Sequence, residues 1–515
     1  MATIARAFAK KDTWITEQSV TSNFGASPIL EVWTKFNSTL TDPIKQRSRI
    51  LIQCDLSALS SSIVSLAKYP DPRTDSTVSA FLCIKNARHG GVQAENFTLD
   101  VFPLTAAWSE GQGVDNDNFS QTGYANAISA SNTNAWNYDR GGTGGDVYIG
   151  WDNRVYDSNS ASQYFETGQE DLKVDITNYF KAYLNYATGT SVAAGGSADY
   201  GFLVRMSDAQ ECRTAGEATS AGVAVATVSS SFYSKKFYSR QTNTRKMPYI
   251  QMEWPGEIKD NRSSIVFGKT ASLYYYSLIN SELTDLNGTG PFPGYVNLSG
   301  NGTSLAGAVG GNLTASRISK GVYKLAIGTA TNGGAGSSPL TAINIAASSS
   351  TAFVDTWVVT TAGEQLSNSF TFDCTLPISG SQDYKTANYE VSLANLNSRY
   401  EKGSLQRIRV FVRDKTTQWQ AVTGTTTAMK NSVIQNGTVE IRELVTNDVE
   451  VPAFGLSFDK DGNYFDLDSS LLYNGMQYKP VLKLNAKGEI LHFDRPEDWK
   501  FQIGDIYDIN YKSGY

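Results

Sequence analysis

The sequence predicts an all-β protein built of β-sandwich modules in series. Three observations predict it. Only 18% of the residues are charged, below the usual quarter, and long amphipathic helices need a charged outer face. Tyr and Phe (27 and 23 residues) accompany 44 glycines, a composition suited to aromatic and β-branched strands joined by Gly, Asn and Ser turns. Period-two alternation of apolar residues recurs along the whole chain. With 515 residues, 40% of them apolar, the length suggests about three globular domains, each able to bury a core.

Taken in order, SRILIQCDLS sets Ile50, Ile52, Cys54 and Leu56 against Arg49, Leu51, Gln53 and Asp55, the pattern of a half-buried strand. NFTLDVF alternates Phe97, Leu99 and Val101 with Thr98 and Asp100, and in YGFLVRM Tyr200, Phe202, Val204 and Met206 share a face. Between them, VDITNYFKAYLNYA carries Ile176, Tyr179, Phe180, Tyr183, Leu184 and Ala187 at helical spacing. Asp175 or Thr177 could cap this short helix, which would cover one end of a sandwich. The Gly, Asn and Ser-rich stretch from Gly111 to Gly145 suits a mobile surface loop or an insertion that packs on a neighbour. GVYKLAIG, LQRIRVFVRD and KPVLKLNA repeat the strand alternation, and Asn436-Gly437 gives the best hairpin signal. Pro255-Gly256 and the charged residues after it end a first region, 1–256. A second, 260–376, is poor in charge, and its size and turn density suit an immunoglobulin-like sandwich. The loop LPISGSQDYK leads to a third β-rich module, 384–515.

A formal net charge of −6 gives no overall pull toward phosphates, so no nucleic-acid partner is expected. No segment approaches the ~18 apolar residues of a membrane span, and the N-terminal MATIARAFAKKDTW has no apolar core of a secretory signal. Cys54, Cys83, Cys212 and Cys374 contain no CxxC and read as small buried hydrophobes. His89 in NARHGGV and His492 in EILHFD lie far apart, with no nucleophile motif near either. Asp115 and Asp117 read as loop carboxylates. No catalytic residue and no cofactor is expected.

Three clusters remain. FDKDGNYFDLD places Asp459, Asp461, Asn463, Asp466 and Asp468 around a Gly turn, a weak calcium candidate. Position twelve of that loop is Ser470, where a calcium loop of the EF-hand kind needs Glu, so a hydrogen-bonded turn is the simpler reading. Tyr274, Tyr275 and Tyr276 form an aromatic run on alternating faces, suited to a strand spanning core and subunit contact, with sugar stacking as the other use. In LQRIRVFVRD, Ile408, Val410 and Val412 face a core while Arg407, Arg409, Phe411 and Arg413 share the other face. That face is a solvated one or a docking surface for an acidic partner.

The opening KKDTWITEQSVTSNFGASPILEVW and RSRILIQCDLS carry Asp12, Thr13, Asn23, Gly25, Arg49, Leu51, Asp55, Leu56 and Ser57. Then follow LTAAWSEG (Trp108, Glu110, Gly111), the helix, YGFLVRMSD and KKFYSRQTNTRKMPYIQMEW. These blocks, in this order over residues 8–254, resemble the disaggregatase-related (DNRLRE-type) β-sandwich modules, with Cys54 where that family generally has Phe. The resemblance implies a jelly-roll-like N-terminal sandwich and transfers no catalytic residue. The C-terminal half, with KDGNYFDLDSSLLYNGMQYKPVLKL, looks similar to large virion proteins of tailed phages. It implies a structural virion protein of neck, collar, tail or capsid surface, made in the host cytoplasm. Its partners would be other virion proteins and further copies of itself. The alternative is a carbohydrate-binding adhesin or polysaccharide-acting protein that meets a host surface glycan.

Overall fold

The computed structural model describes residues 4–37, 44–65, 69–87, 93–104, 106–115, 124–132, 136, 161–190, 198–211, 232–263, 265–266, 270–288, 290–300, 313–328, 350–361, 364–375, 389–414, 433–459, 461–486 and 489–504. The fold is all-β, as the alternation predicts. Two compact units divide the chain: one holds Ile4–Ser65 and Tyr69–Trp254, and the other runs from Pro255. Among the described residues, no helix is long and apolar enough to cross a membrane.

The N-terminal unit contains β1 (Ile4–Thr16), β2 (Ile29–Asn37), β3 (Ile44–Cys54), α1 (Ser57–Val64), β4 (Ser79–Ile84), β5 (Phe97–Pro103), β6 (Ala161–Phe165), β7 (Leu172–Asp175), α2 (Thr177–Ala187), β8 (Phe202–Met206), α3 (Asp208–Glu211), β9 (Tyr233–Tyr238) and β10 (Tyr249–Glu253). Its two layers share β1. Residues Ile4 to Phe8 pair with β10, which continues to β4 and β7. The register shifts between Ala9 and Lys11, and the rest of β1 pairs with β3. A bulge of this kind lets one strand turn from one sheet into the other. From β3 the second layer runs through β8 to β5 and β6, and through β2 to β9. Ile50, Ile52 and Cys54 enter the core between the layers with Leu30, Val32, Leu82, Ile84 and the stacked pair Phe97 and Phe165.

The half-buried reading of SRILIQCDLS is corrected on its outer face. Arg47, Arg49, Leu51 and Gln53 are buried too. Leu51 lies in a second apolar cluster with Ile15, Leu203, Leu104, Trp108, Ala125 and Trp136. The described parts of the Gly111–Gly145 stretch thus pack back onto the chain's own sheet. Trp108 Nε1 donates to the Tyr200 carbonyl at 2.9 Å and Trp136 Nε1 to that of Asn126 at 2.8 Å, so both indoles are satisfied where they are buried. The expected helix is α2, which buries Tyr179, Phe180, Ala182 and Leu184. Neither residue expected to cap it does so: the N-cap is Ile176, with no side-chain cap bond, while Asp175 accepts the Thr177 N–H at 2.8 Å just before the helix and Thr177 Oγ1 accepts the Ala80 N–H of β4 at 2.9 Å. The sequence reading missed α1, a serine-rich turn of chain directly after β3.

In the second unit β11 (Ile265–Val266), β12 (Thr270–Tyr276), β13 (Leu278–Ile279), β14 (Glu282–Leu283), β15 (Gly294–Gly300), β16 (Ser316–Ser319), β17 (Val322–Gly328), β18 (Ser350–Thr361) and β19 (Glu364–Thr375) come first. The sheet β11-β19-β18-β15 and the sheet β12-β17-β16 enclose one core, where Trp357 stacks on Tyr275 at 5.3 Å beside Phe292, Tyr323, Leu325 and Phe353. This is an Ig-like sandwich.

The remaining strands are β20 (Tyr389–Leu393), β21 (Arg399–Tyr400), β22 (Leu405–Asp414), β23 (Asn436–Glu443), β24 (Val449–Gly455), β25 (Ser457–Asp459), β26 (Gly462–Asp468), β27 (Gln477–Ala486), β28 (Glu489–Asp494) and β29 (Phe501–Ile503). They form the sheet β20-β22-β26-β25 and a second sheet, β21-β29-β27-β23-β24, with β28 also on β27. Asn436-Gly437 is not a hairpin turn. It opens β23, paired with Asn485 and Leu484 of β27. A Cβ on Gly437 would lie 2.8 Å from Leu456 Cδ1 and 3.0 Å from Leu484 Cδ2, so close packing and not a turn conformation accounts for glycine there. The segment after Pro255, read as a boundary, is bonded to this module. Ile258 N–H donates to Ser457 Oγ (2.8 Å), Phe458 N–H to the Ile258 carbonyl (2.9 Å) and Asp260 N–H to the Phe458 carbonyl (3.1 Å). The loop LPISGSQDYK lies outside the described residues.

Candidate functional site

Strand β22 alternates as its sequence predicts: Ile408, Val410 and Val412 are buried, and Arg407, Arg409, Phe411 and Arg413 lie on the other face. Cross-strand neighbours on one face are the closest side-chain pairs a sheet offers, and here each arginine meets a carboxylate of its own chain. Arg407 reaches Asp466 on β26 at 2.9 Å, Arg409 reaches Asp459 at the end of β25 at 2.6 Å, and Arg413 lies 3.9 Å from Glu390 on β20. Tyr464 is buried beneath the first two, with the guanidinium carbons 4.0 and 5.1 Å from its ring centre. Burial alone would raise the Asp466 pKa, but the Arg407 hydrogen bonds hold it below the usual value. Arg407 pays for its partial burial in the same way, and its pKa is driven up by Asp466.

The calcium and arginine candidates therefore fall in one place. Asp459 and Asp466 are the counter-charges of Arg409 and Arg407, and Asp459 Oδ1 also accepts the Asp461 N–H at 2.9 Å, the hydrogen-bonded turn weighed against calcium. Asn463 points to the opposite face, where its amide exchanges 2.8 Å bonds with the backbone of Ile434. Strand alternation separates Asn463 from Asp466, and Asp468 accepts the Ser470 N–H at 2.9 Å, so the five candidates do not converge on one point. Among the described residues no three His, Cys, Asp or Glu side chains form a metal-holding group.

The residues carrying the family resemblance converge elsewhere, in the N-terminal unit. Asn23 donates to the carbonyls of Glu110 (2.6 Å) and Ala125 (2.8 Å), and its Oδ1 accepts the N–H groups of Gly25 and Gly113 at 3.0 Å each. A Cβ on Gly25 would stand 2.2 Å from the Glu110 carbonyl oxygen, so the Asn-x-Gly spacing is set by this close approach. Glu110 binds the Arg240 guanidinium at 2.6 and 2.5 Å, while Asp12 accepts the Arg240 N–H at 2.6 Å. Lys11 Nζ donates to the Trp108 carbonyl at 2.8 Å. The Asp12 carboxyl is buried and, among the described residues, its Oδ1 has no hydrogen-bond partner. Burial raises its pKa to about 7, against the Arg240 N–H, and the nearby Glu110 charge adds to the rise. Every contact fastens one segment to another.

The sequence reading missed a buried ion triad behind β3 and β8. Glu211 is fully buried and binds Arg49 through two bonds, of 2.7 and 2.8 Å, and Arg205 at 2.9 Å. Burial opposes its ionisation, but the two guanidiniums hold its pKa down to about 2. The available signal was a charged residue facing away from the core inside the apolar runs RSRILIQC and FLVRM.

The other candidates resolve individually. Cys54 and Cys83 are buried free thiols, and burial pushes the Cys83 thiol up to about 11. His492 is exposed on β28. Tyr275 enters the Ig-like core, and Tyr274 packs with Ile258 and Val322, so both faces of the aromatic run are covered by the chain itself. His89, Asp117 and Cys212, and the side chain of Cys374, lie outside the described residues.

No family model matches the chain, and no curated protein matches it. Among solved structures it is similar to the N-terminal Ig1-2 module of the Drosophila receptor protein tyrosine phosphatase DLAR (10% identity, TM-score 0.14, 48% of this chain and 96% of that one). It is also similar to titin domains z1z2 in complex with telethonin (12% identity, TM-score 0.13, 46% and 89%). A DUF4785 family protein of Legionella pneumophila matches over 98% of this chain and 90% of that one, at 8% identity and TM-score 0.16. Likeness at these scores carries no argument about function.

Proposed function

We propose that this chain is a structural component of a tailed-phage virion, working through protein–protein contacts. The observation that carries the reading is how its conspicuous polar residues are used. Asp12, Asn23, Glu110 and Arg240 bond to one another and to backbone, and Glu211 pairs with Arg49 and Arg205, the latter also facing Asp100, inside the N-terminal unit. Such groups serve rigidity, which suits a scaffold of serial sandwiches that docks through edges and loops. The apolar tip of the β13–β14 hairpin, with Leu278 63% and Ile279 49% exposed, is the kind of surface a neighbour would cover. The β22 face is the second docking candidate. Because its arginines are already paired, it would recognise a partner by shape and by exchange of ion pairs, not by bare positive charge.

The test is quantitative mass spectrometry of purified particles from the source that encodes this chain. A fixed copy number per particle is expected. Presence only in the lysate, with clean particles lacking it, would sink the proposal. The glycan-binding alternative draws on Tyr164, 59% exposed on β6 with its hydroxyl bonded to Asn96 at 2.6 Å. Micromolar binding of the full chain on a host-glycan array, lost in Tyr164→Ala, would favour that reading.

A further inference from the structure

The β9 strand carries a buried lysine that the proposed function leaves unused. Lys235 is 2% exposed, and its side chain points inward beside the rings of Phe165 and Phe237, each centred 5.1 Å from Nζ. Among the described residues its hydrogen bonds go only to uncharged acceptors: the Asn86 side-chain oxygen at 2.7 Å, the Gly168 carbonyl at 2.6 Å and the Glu170 carbonyl at 2.8 Å. Asn86 lies just beyond β4. Backbone bonds fix its register against β9, from Ala87 N–H to the Lys236 carbonyl and from Tyr238 N–H to the Lys85 carbonyl, both 3.0 Å. The amine and the amide are therefore held in contact by backbone geometry, and fixed proximity replaces a large entropic barrier.

We propose that Lys235 and Asn86 form an intramolecular isopeptide cross-link, joining the segment that leaves one layer of the N-terminal sandwich to the edge of the other. Burial lowers the Lys235 pKa to about 8, so free amine is present near neutral pH, the condition a lysine nucleophile needs. Glu170 lies beside the pair. Burial opposes its charge, but the Thr167 and Glu166 hydrogen bonds hold the carboxylate in the charged form, with a pKa below the usual value. Its Oε1 accepts the Glu166 and Thr167 N–H groups, while its Oε2 is buried with no hydrogen-bond partner among the described residues, and its charge acts on Lys235. Lys235 in its free-amine form adds through the Nζ lone pair to Cγ of Asn86, and the proton it gave up on losing its charge is returned to the ammonia released. The Cγ–Nδ2 bond then breaks, with protons passing to the departing nitrogen. One amide replaces another, one ammonium ion leaves, and nothing is oxidised or reduced.

The intact mass of the full chain, reduced and denatured, tests this without any variant. The expected mass is that of the sequence less one ammonia, and proteolysis should give a branched peptide containing both Lys235 and Asn86. Lys235→Met and Asn86→Ala should each return the full mass expected for its own sequence. A wild-type chain at its full sequence mass after prolonged incubation overturns the proposal, and leaves Lys235 as an ammonium clip. So does a loss of ammonia with the two peptides still separate, as succinimide formation would give.

Discussion

At the scale of single residues, buried charges dominate. Glu211 sits between two buried guanidiniums, and removing one partner of such a group strands the others without water. Glu211→Gln should therefore cost about 3–5 kcal/mol in chemical denaturation. A loss too small to measure would mean that water reaches the triad. The pH behaviour of the N-terminal unit follows from two carboxyls of opposite sign. Glu211 is held down to about 2 from the usual 4.5, so its contribution is present above 4.5 and lost as pH falls toward 2. Asp12 is raised from 3.8 to about 7. The stability it contributes is complete below 3.8 and drains away as pH rises through 7. Asp12→Asn mimics the protonated form, so the variant should gain on wild type as pH rises from 4 to 8, by an order of 1–3 kcal/mol. Parallel stability–pH curves for the two proteins would contradict the assignment.

At the scale of elements, packing explains residues whose identity looks like turn chemistry. Gly437 opens β23 against Leu456 and Leu484. Gly437→Val should overpack that site and cost about 1–3 kcal/mol, read as a lowered melting temperature of the second unit, whereas a true turn glycine would owe its cost to a positive φ. On β22, Arg407→Gln with Arg409→Gln breaks two partly exposed ion pairs, each worth about 0–1 kcal/mol. The folded double variant should lose copies per assembled particle. Unchanged incorporation would return this strand to a solvated face. Glutamine is the cleaner replacement, since glutamate would meet Asp466 and Asp459 directly.

At the scale of the whole molecule, the all-β architecture was legible because alternation survives burial: Ile50, Ile52 and Cys54 point into the core as their spacing requires. The cover on the other face was not legible. Alternation says which way Leu51 and Arg205 point, but not that Trp108 and Trp136 cover the first or that Glu211 pairs with the second. Trp108 and Trp136 are distant in sequence from Leu51, and Glu211, though only six residues after Arg205, lies past the end of its strand, on α3. Pro255-Gly256 was legible as the end of a first region, where the compact units divide, but not the bonds of Ile258 to Asp260 along Ser457 and Phe458. Limited proteolysis should accordingly spare 257–260 among early cleavages, and an early cut there would contradict those bonds. The central claim is that these rigid sandwiches are building blocks of a particle. A medium-resolution map of the intact virion tests it most directly. The account predicts density for the N-terminal, Ig-like and C-terminal sandwiches at symmetry-related positions, with neighbouring subunits against their edges and loops. A map fully explained by other proteins, with no density for these modules, would contradict it.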